Sequence, residues 1–374
     1  MRDIHIYVHV PFCVDPCGYC DFYRGPYQAA REVLYVQAIL AEIKLRIPGG
    51  SRIASLYFGG GTPSLLTAAS WEAVFKGLMD RGSFSAGAEI SIEANPGTVT
   101  PDSVTLWRRL GVNRVSAGVQ SLNNRILEFL NRIHTSETAL SALRILREAG
   151  FDSVNADLIY GIPSQTIDDC TNALRQLTPE LTHLSAYALT IEARTPFAQR
   201  GVTLPNTDAV ADQYEAITQT AAEYGLERYE VSNFSSPGRE CRHNLNTWRY
   251  GSYVGLGPSA VGFDGRHRYK NISDLSGYIA LLRRGELPTA EEEIIDDAGM
   301  AFWDRLMLGL RTREGALCSE SESVRLRSVF QELEIAKYFE WIGPRLRLGF
   351  PHLLLLDELL TRIRSHWITV CPVS

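Results

Sequence analysis

The first 225 residues of the chain alternate between short apolar runs and longer stretches in which apolar residues recur with a helical period. The short runs are rich in Val, Ile, Tyr or Phe, or end at Gly or Pro, which is typical of buried strands. We predict strands over His5–Val10, Ser55–Phe58, Glu89–Glu93, Arg114–Val119, Ser153–Ile159 and His183–Thr190.

The stretches between these runs predict helices. One apolar face repeats at 4-3-4 spacing through Val36, Leu40, Ile43 and Ile47. Capping residues and terminal glycines predict further helices from Thr100-Pro101 to Gly111, from Ser136 to Ala149 and from Asp208 to Tyr224. The resulting six strand-then-helix units indicate parallel strands, in either an open doubly wound sheet or a barrel. Six units favour an α/β fold, a partial (β/α)6 barrel open on one side, with its working residues at the C-terminal ends of the strands.

The remainder of the chain has a different pattern. We expect residues 1–225 to form the barrel and residues 226–290 to form an accessory segment, with a strand at Arg228–Val231 followed by Gly- and Tyr-rich loops. Residues 291–374 predict a smaller, mainly helical C-terminal domain. Its predicted helices are Asp296–Arg311 and Leu353–Ile363.

Composition narrows the class of protein. Hydrophobic residues make up 45% of the 374 residues, which is ordinary for a globular protein with a sizeable core. The net charge is −6 and no basic block stands out, so nucleic acid is not an expected partner. Met1–Phe12 lacks the features of a signal peptide, and the longest apolar stretch near the end, Leu353–Leu356, is far too short for a membrane span.

The seven cysteines indicate metal or redox chemistry in a reducing cytoplasm. Three of them crowd into residues 13–20, whereas a disulfide framework would be spread differently and belongs to small secreted chains. The other cysteines are scattered, at Cys170, Cys241, Cys318 and Cys371.

Cys13-Val-Asp-Pro-Cys17-Gly-Tyr-Cys20 follows the first predicted strand. Three thiolates at this spacing can each bind one iron of a [4Fe–4S] cluster and leave the fourth iron for the amino and carboxylate groups of a small molecule such as S-adenosylmethionine (SAM). The alternatives are three structural thiols or a zinc site. Zinc takes four tetrahedral ligands, and no fourth Cys or His lies at zinc-finger spacing.

Polar and glycine residues follow the other predicted strands. The run Gly59-Gly60-Gly61-Thr62 allows the backbone to approach a ligand closely, although alone it is more often a tight turn. Carboxylates and amides suit ribose hydroxyls, and an arginine suits a methionine carboxylate. Surface salt bridges or caps are the alternative roles for these side chains, which are Glu93, Gln120, Arg132 and Asp157.

A last candidate group is Arg242-His243-Asn244-Leu-Asn-Thr-Trp248, followed by tyrosines and glycines. Histidine with aromatic residues could form a flat apolar pocket that holds haem through an axial imidazole. The alternative is a packed loop with a hydrogen-bonded histidine, which composition alone favours.

Taken in order, seven motifs resemble the HemN/HemW branch of radical SAM proteins along nearly the whole chain. They are Tyr7-Val-His-Val-Pro-Phe-Cys13, Phe58-Gly-Gly-Gly-Thr-Pro63, Ser91-Ile-Glu-Ala-Asn-Pro96, Gly118-Val-Gln-Ser121, Asn131-Arg132, Asp157-Leu-Ile-Tyr-Gly161 and His243-Asn244. The resemblance implies a [4Fe–4S] cluster, SAM and haem as cofactors, with His243, Asn244 and Trp248 near haem. It also implies a SAM pocket formed by Tyr7, Gly60, Gly61, Thr62, Glu93, Gln120, Arg132 and Asp157.

Within that branch, the coproporphyrinogen III dehydrogenases carry a further cysteine two residues after the third cluster cysteine, whereas this chain has Phe22. The chain also begins directly at its first strand, without the N-terminal extension of those dehydrogenases. Both features resemble the haem-chaperone group, which implies haem binding and delivery to acceptor proteins, by a monomer or a homodimer. Oxidative decarboxylation of coproporphyrinogen III and SAM-dependent methyl transfer are the enzymatic alternatives.

Two departures from the branch concern its later motifs. Thr247 stands where the branch usually has tyrosine, which weakens any role for a phenol in haem binding. Leu348-Gly-Phe-Pro-His352 replaces the usual Thr-x-x-Gly step before the last helix, so the resemblance says less about the C-terminal segment than about the barrel.

Overall fold

The computed structural model describes residues 3–370, with no account of the side chains of Phe350 and residues 368–370. Six parallel strands form the centre of the fold, in the order of the sequence. We label them β1 (Asp3–Val10), β2 (Ser51–Gly60), β3 (Gly82–Ala94), β4 (Arg114–Gln120), β5 (Ser153–Tyr160) and β6 (His183–Ala188). All six predicted strands are confirmed: five of them extend beyond their predicted bounds, and the sixth ends at Ala188, two residues before the predicted Thr190.

Helices follow the strands and pack on one face of the sheet. They span Ala29–Arg46, Ala68–Met79, Pro101–Arg109, Asn124–Phe129, Ser136–Glu148, Ile167–Leu177, Pro196–Gln199 and Thr207–Glu223. The predicted cap at Thr100 is confirmed, because its side chain accepts from the Ser103 N–H while the Ser103 hydroxyl accepts in return. Single turns of 3₁₀ helix lie at Pro63–Leu65, Pro96–Thr98 and Thr178–Glu180.

Alternation along the strands separates an apolar face from a polar one. In β1, Ile6, Val8 and Val10 are buried in the core against the helices, so His5 and His9 point to the opposite face. The same alternation in the other strands gives the fold a polar interior. This interior is the lumen of the partial barrel, and it explains how buried strands can carry charged residues.

Residues 226–290 extend this sheet at both edges. Val254–Leu256 pairs in parallel with β1, and Asn233–Ser235 pairs antiparallel with β6 and with Glu227–Arg228. The predicted strand at Arg228–Val231 is therefore wrong in its bounds. The chain turns at Val231–Ser232, where the Glu230 carboxylate accepts from the Ser232 N–H.

The rest of this segment contains two helices, Arg242–Trp248 and Leu275–Arg283, and a small antiparallel sheet. The strands of that sheet are Val261–Phe263, His267–Asn271 and Thr289–Ile294.

The C-terminal segment has a separate apolar core centred on Leu306, Leu326 and Ile363. Its elements are the helices Ala298–Gly309, Glu320–Glu332 and Leu356–Val370, the strands Ala316–Leu317, Phe339–Ile342 and Arg345–Leu348, and the 3₁₀ turns Ala336–Tyr338 and Phe350–Leu355. Between residues 3 and 370, the helices include none with the length and apolar character needed to cross a membrane.

Candidate functional site

The three clustered cysteines lie on the loop that follows β1. Arg24 holds this loop together: its Nη1 donates to the carbonyls of Cys20 at 2.7 Å and Phe22 at 3.0 Å, and its Nη2 donates to that of Cys17 at 3.3 Å. The strand pair Phe12–Cys13 and Gly25–Pro26 closes the base of the loop. The loop therefore has a defined fold that brings its thiols to one side.

All three thiols line a single cavity of about 640 Å³. Cys13 Sγ lies 3.5 Å from Thr62 Oγ1, and Cys17 Sγ accepts from Arg132 Nη1 at 3.2 Å. Burial raises the pKa of Cys13, while the Thr62 hydroxyl and the Arg24 charge lower it. Cationic neighbours favour the thiolate form that binds iron.

This donor set fits a cluster held by three thiolates. Within residues 3–370, no three His, Cys, Asp or Glu side chains are arranged to hold a single metal ion. A cubane is bound iron by iron, so its thiolates surround a larger body. The remaining described cysteines, Cys170, Cys241 and Cys318, are buried away from the loop, and Cys371 lies outside the described residues.

Glu93 ends β3 beside the glycine run. Gly60 has a φ of +105°, and a Cβ on it would lie 2.5 Å from the His9 ring, so glycine is required there. The Gly60 N–H donates to one carboxylate oxygen of Glu93 at 3.1 Å, and the Tyr57 hydroxyl donates to the other at 3.0 Å. Burial, followed by the charge of Asp157, raises the pKa of Glu93 to about 7. Glu93 can therefore hold or release a proton near neutral pH.

Asp157 lies on β5 and faces the same cavity. The Ser116 hydroxyl lies 3.1 Å from both of its oxygens, and Asn155 Nδ2 donates to one of them at 2.8 Å. Burial raises the pKa of Asp157, and these hydrogen bonds offset part of that effect. The carboxylate is held rigidly, with one edge toward the cavity.

Gln120 and Arg132 lie where β4 ends. Gln120 has a φ of +67°, a conformation rare for a residue with a side chain and typical of functional sites. Arg132 Nη2 donates to the Gly118 carbonyl at 2.7 Å, so the guanidinium connects β4 to Cys17 in the cysteine loop. Its Nε is buried and has no hydrogen-bond partner among the described residues.

Tyr7 and His243 do not line the cavity as the other predicted residues do. The Tyr7 hydroxyl lies 3.2 Å from His9 Nδ1, and its ring stacks 6.1 Å from that of Tyr57. Tyr7 therefore lies behind the glycine run and supports the wall of the cavity.

His243 lies deep at the opposite end of the barrel. Its side chain is buried, its Nδ1 is 2.8 Å from Ser55 Oγ, and its backbone N–H donates to Glu89 at 2.9 Å. Burial lowers the pKa of His243 to about 3, so the imidazole is neutral. Its neighbour Asn244 reaches the cavity. The role of His243 as a haem ligand stays a prediction.

The structure thus brings most of the predicted site residues to one cavity: Cys13, Cys17, Cys20, Gly60, Gly61, Thr62, Glu93, Gln120, Arg132 and Asp157. Sequence reasoning missed Tyr57, Arg114, Ser116 and Tyr187, which also line it. Arg114 gave a usable signal, since a charged residue within a strand buried on both faces requires a polar interior.

Comparison with known proteins places this geometry in a family. The model of the Radical SAM superfamily matches residues 7–177, which include the cysteine loop and the ends of β1 to β5. That superfamily implies a [4Fe–4S] cluster and SAM as cofactors. In overall fold, the chain matches the structure of coproporphyrinogen III oxidase (HemN) from Escherichia coli, a radical SAM enzyme, with a TM-score of 0.84. The match covers 98% of this chain and 91% of that chain at 22% identity.

Sequence relatives are more specific. The chain is 40% identical to the Heme chaperone HemW of Escherichia coli over 267 residues, which are 69% of this chain and 70% of the relative. It is 32% identical to the Heme chaperone HemW of Lactococcus lactis over 349 residues, which are 91% of this chain and 89% of the relative. The chain therefore belongs to the HemW family of radical SAM proteins.

Proposed function

We propose that this protein is a cytoplasmic haem chaperone. In this proposal Cys13, Cys17 and Cys20 hold a [4Fe–4S] cluster, the cavity binds SAM and haem, and haem passes from this protein to acceptor proteins. The names of the relatives support the proposal. The observation that carries it is the side chain at position 22.

Phe22 lines the cavity and is 67% exposed, two residues after Cys20. The resemblance gives the dehydrogenases a cysteine at this position. A thiol can be oxidised, transfer a proton or bind metal, whereas a phenyl ring offers apolar contact alone. This wall of the cavity therefore favours holding a tetrapyrrole over decarboxylating one.

Three further apolar side chains accompany Phe22. Val14, Ile133 and Tyr187 also line the cavity, and each is at least 42% exposed. Together with Phe22 they form what we call the apolar rim. Large exposed apolar side chains beside a cavity are typical of a binding surface, and the faces of haem are apolar. We propose that haem lies against this rim.

The polar residues of the cavity suit SAM. Arg132 lines the cavity and can donate a remaining N–H of its guanidinium to the methionine carboxylate beside the cluster loop, and the Glu93 carboxylate can accept from the amino group. Asp157 and Gln120 can bind ribose hydroxyls, and the glycine run allows close approach of the backbone. When bound, the cluster and SAM supply one-electron chemistry.

Anaerobic reconstitution tests the proposal. The holoprotein is mixed separately with haem and with coproporphyrinogen III, each with SAM, and spectra and products are recorded. We expect a Soret band of bound haem, no protoporphyrinogen, and transfer of haem to a haem-free acceptor protein faster than free haem is released. Formation of protoporphyrinogen would contradict the proposal. A mass measurement of the haem-loaded protein would determine whether a homodimer carries the haem.

A further inference from the structure

Arg114, at the start of β4, is a charged residue inside the barrel. It is 3% exposed and lines the cavity on the same strand face as Ser116 and Gly118. A guanidinium has five N–H donors, and a buried one is stable when acceptors surround it. The stability of the buried Arg114 charge therefore depends on its hydrogen-bond acceptors.

The described residues provide Arg114 with almost no acceptor. Its Nε and Nη1 have no hydrogen-bond partner. Its Nη2 lies 3.4 Å from Nδ1 of His183, which is its one contact of hydrogen-bonding length. Whether that contact is a hydrogen bond depends on which imidazole nitrogen carries the proton.

The surrounding network assigns the proton of His183. Nδ1 lies 2.6 Å from Asn155 Oδ1, while Asn155 Nδ2 donates to Ser116, Ser185 and Asp157, which fixes the orientation of the amide. Nδ1 therefore carries the proton and donates to Asn155. Nε2, 2.8 Å from the Tyr229 hydroxyl, is the accepting nitrogen. Since Nδ1 is a donor, it cannot accept from a guanidinium.

The carboxylates of the lumen are bound to other donors. Glu89 accepts the backbone N–H groups at the start of the Arg242–Trp248 helix at 2.8 and 2.9 Å. Glu93 accepts from Tyr57 and the glycine run, and Asp157 from Ser116 and Asn155. None of the ion pairs among residues 3–370 includes Arg114. The guanidinium thus keeps unpaired, buried donors in a residue that lines the cavity.

We propose that Arg114 binds the carboxylate of a ligand that enters the barrel lumen. A planar guanidinium and a carboxylate form paired N–H···O bonds, which would use Nη2 together with either Nη1 or Nε. For the identity of its ligands this inference rests on the proposed function, which offers two carboxylates: a propionate of the tetrapyrrole and the methionine carboxylate of SAM.

The position of Arg114 favours the propionate. Arg114 precedes Gln120 by six residues on β4, a depth of about 20 Å at the usual rise of a strand. Arg132, beside the cysteine loop, is already placed for a methionine carboxylate at the cluster. A rigid macrocycle that enters edge-on past the apolar rim can extend one propionate toward Arg114.

Two pairs of ligands, each with and without the free carboxylate, test which of the two ligands Arg114 binds. Affinity is measured for haem against haem dimethyl ester, and for SAM against decarboxylated SAM, in wild type and in Arg114→Met and Arg114→Lys. We expect wild type to prefer haem over its ester, and Arg114→Met to reduce that preference by about tenfold to a hundredfold, the usual worth of a hydrogen bond to a charged group. Arg114→Lys should retain part of the preference.

Arg46→Met is the matched control. Arg46 is a partly buried arginine outside the lumen, with a 9% exposed side chain that pairs with Glu42 at 2.8 Å, so its loss should leave both ligand preferences unchanged. Loss of the SAM preference in place of the haem preference would assign the site to the methionine carboxylate. Preferences equal to wild type in both pairs would overturn the inference.

A measurement on the wild-type protein covers the case in which a variant does not fold. The ¹⁵N resonances of the Arg114 guanidinium should shift on adding haem and stay unchanged with the dimethyl ester. Resonances that stay unchanged with both haem and SAM would also overturn the inference. Absence of any haem binding by wild type would instead contradict the proposed function, and the SAM pair would still test Arg114.

Discussion

Burial and hydrogen bonding give single side chains of this cavity properties that their residue types lack in water. Burial holds the pKa of Glu93 near 7, whereas it keeps His243 neutral with a pKa near 3. Arg132 donates from Nη1 to Cys17 and from Nη2 to Gly118, whereas its Nε has no hydrogen-bond partner among the described residues. Single substitutions can therefore test the role of each of these side chains.

The first prediction concerns the cluster ligands. Replacing Cys13, Cys17 or Cys20 with Ala should abolish the broad visible absorption of the reconstituted cluster, because each supplies one of three thiolates. Cys170→Ala is the matched control, since that thiol is buried in the barrel core away from the cavity. Retention of the cluster in one of the three variants together with its loss in Cys170→Ala would show that the ligands are misassigned.

The second prediction concerns SAM affinity. Arg132→Ala and Glu93→Gln should each weaken SAM binding, measured per reconstituted cluster, by about tenfold to a hundredfold, because each removes a charged partner. Unchanged affinity in both variants would exclude these residues from the SAM pocket. Isothermal titration under anaerobic conditions measures the effect.

The third prediction follows from the raised pKa of Glu93. In the proposed pocket the SAM ammonium group pairs with the ionised Glu93 carboxylate, and a pKa of about 7 means that this form is lost as the pH falls below 7. Wild-type affinity for SAM should therefore fall between pH 7 and pH 5.5, by at most about tenfold per pH unit. In Glu93→Gln the affinity should be nearly constant across this range; a wild-type slope in that variant would assign the titration to another group.

At the scale of elements, the parallel strands bring residues distant in sequence to one end of the sheet. The cysteine loop after β1, the glycine run after β2 and the last residues of β3 and β4 meet there because parallel strands share the direction of their C-terminal ends. The Arg242–Trp248 helix closes the other end, anchored by Glu89. Its position decides whether His243 can reach haem.

The fourth prediction concerns that helix. His243 contacts Ser55 through Nδ1, so Nε2 is the nitrogen that haem iron would take once movement of the helix makes the buried side chain accessible. Ser55→Ala removes the partner that orients the imidazole and should weaken its ligation, whereas His243→Ala should alter the Soret band of bound haem. Trp248→Ala is the control, since it removes apolar contact and keeps the imidazole. A Soret band unchanged in the Ser55 and His243 variants would place the haem ligand elsewhere.

At the scale of the whole molecule, the chain has separate apolar cores in the barrel and in the C-terminal segment. Backbone contacts join them near Glu230, which bridges to Thr312, and Tyr229, whose carbonyl accepts from the Arg313 N–H at 2.8 Å. The cofactor residues belong to the barrel side. A destabilising substitution in one core should therefore affect cofactor binding differently from a substitution in the other core.

The fifth prediction compares the two cores. Leu143 in the barrel and Leu326 in the C-terminal segment are both fully buried. Substitution of either by Ala should lower the free energy of unfolding of its own region by about 2–5 kcal/mol. Regional hydrogen exchange should show the loss near the substitution, with SAM affinity reduced in Leu143→Ala alone. Equal loss of SAM affinity in Leu326→Ala would indicate one cooperative unit.

Local sequence patterns determined much of this protein. The strands, the Thr100 cap and the cysteine loop are encoded by neighbouring residues, so periodicity and spacing predicted them. The placement of Glu93, Gln120 and Asp157 at one cavity also followed, since strand ends in a parallel fold converge. The strand predicted at Arg228–Val231 was misplaced because the Glu230 carboxylate stabilises a turn that residue preferences do not reveal.

Contacts between distant residues were decided only by the tertiary structure. Whether Arg114 Nη2 has an acceptor depends on the proton of His183, which depends in turn on Asn155 of a neighbouring strand. The burial of His243 depends on Ser55, 188 residues away. Strand register and sheet curvature set such pairs, and neither is written in the local pattern of hydrophobic and polar residues. The sequence therefore determined that most of the predicted cofactor residues meet at one cavity, and the fold determined which other residues line it and which of their atoms lack a partner.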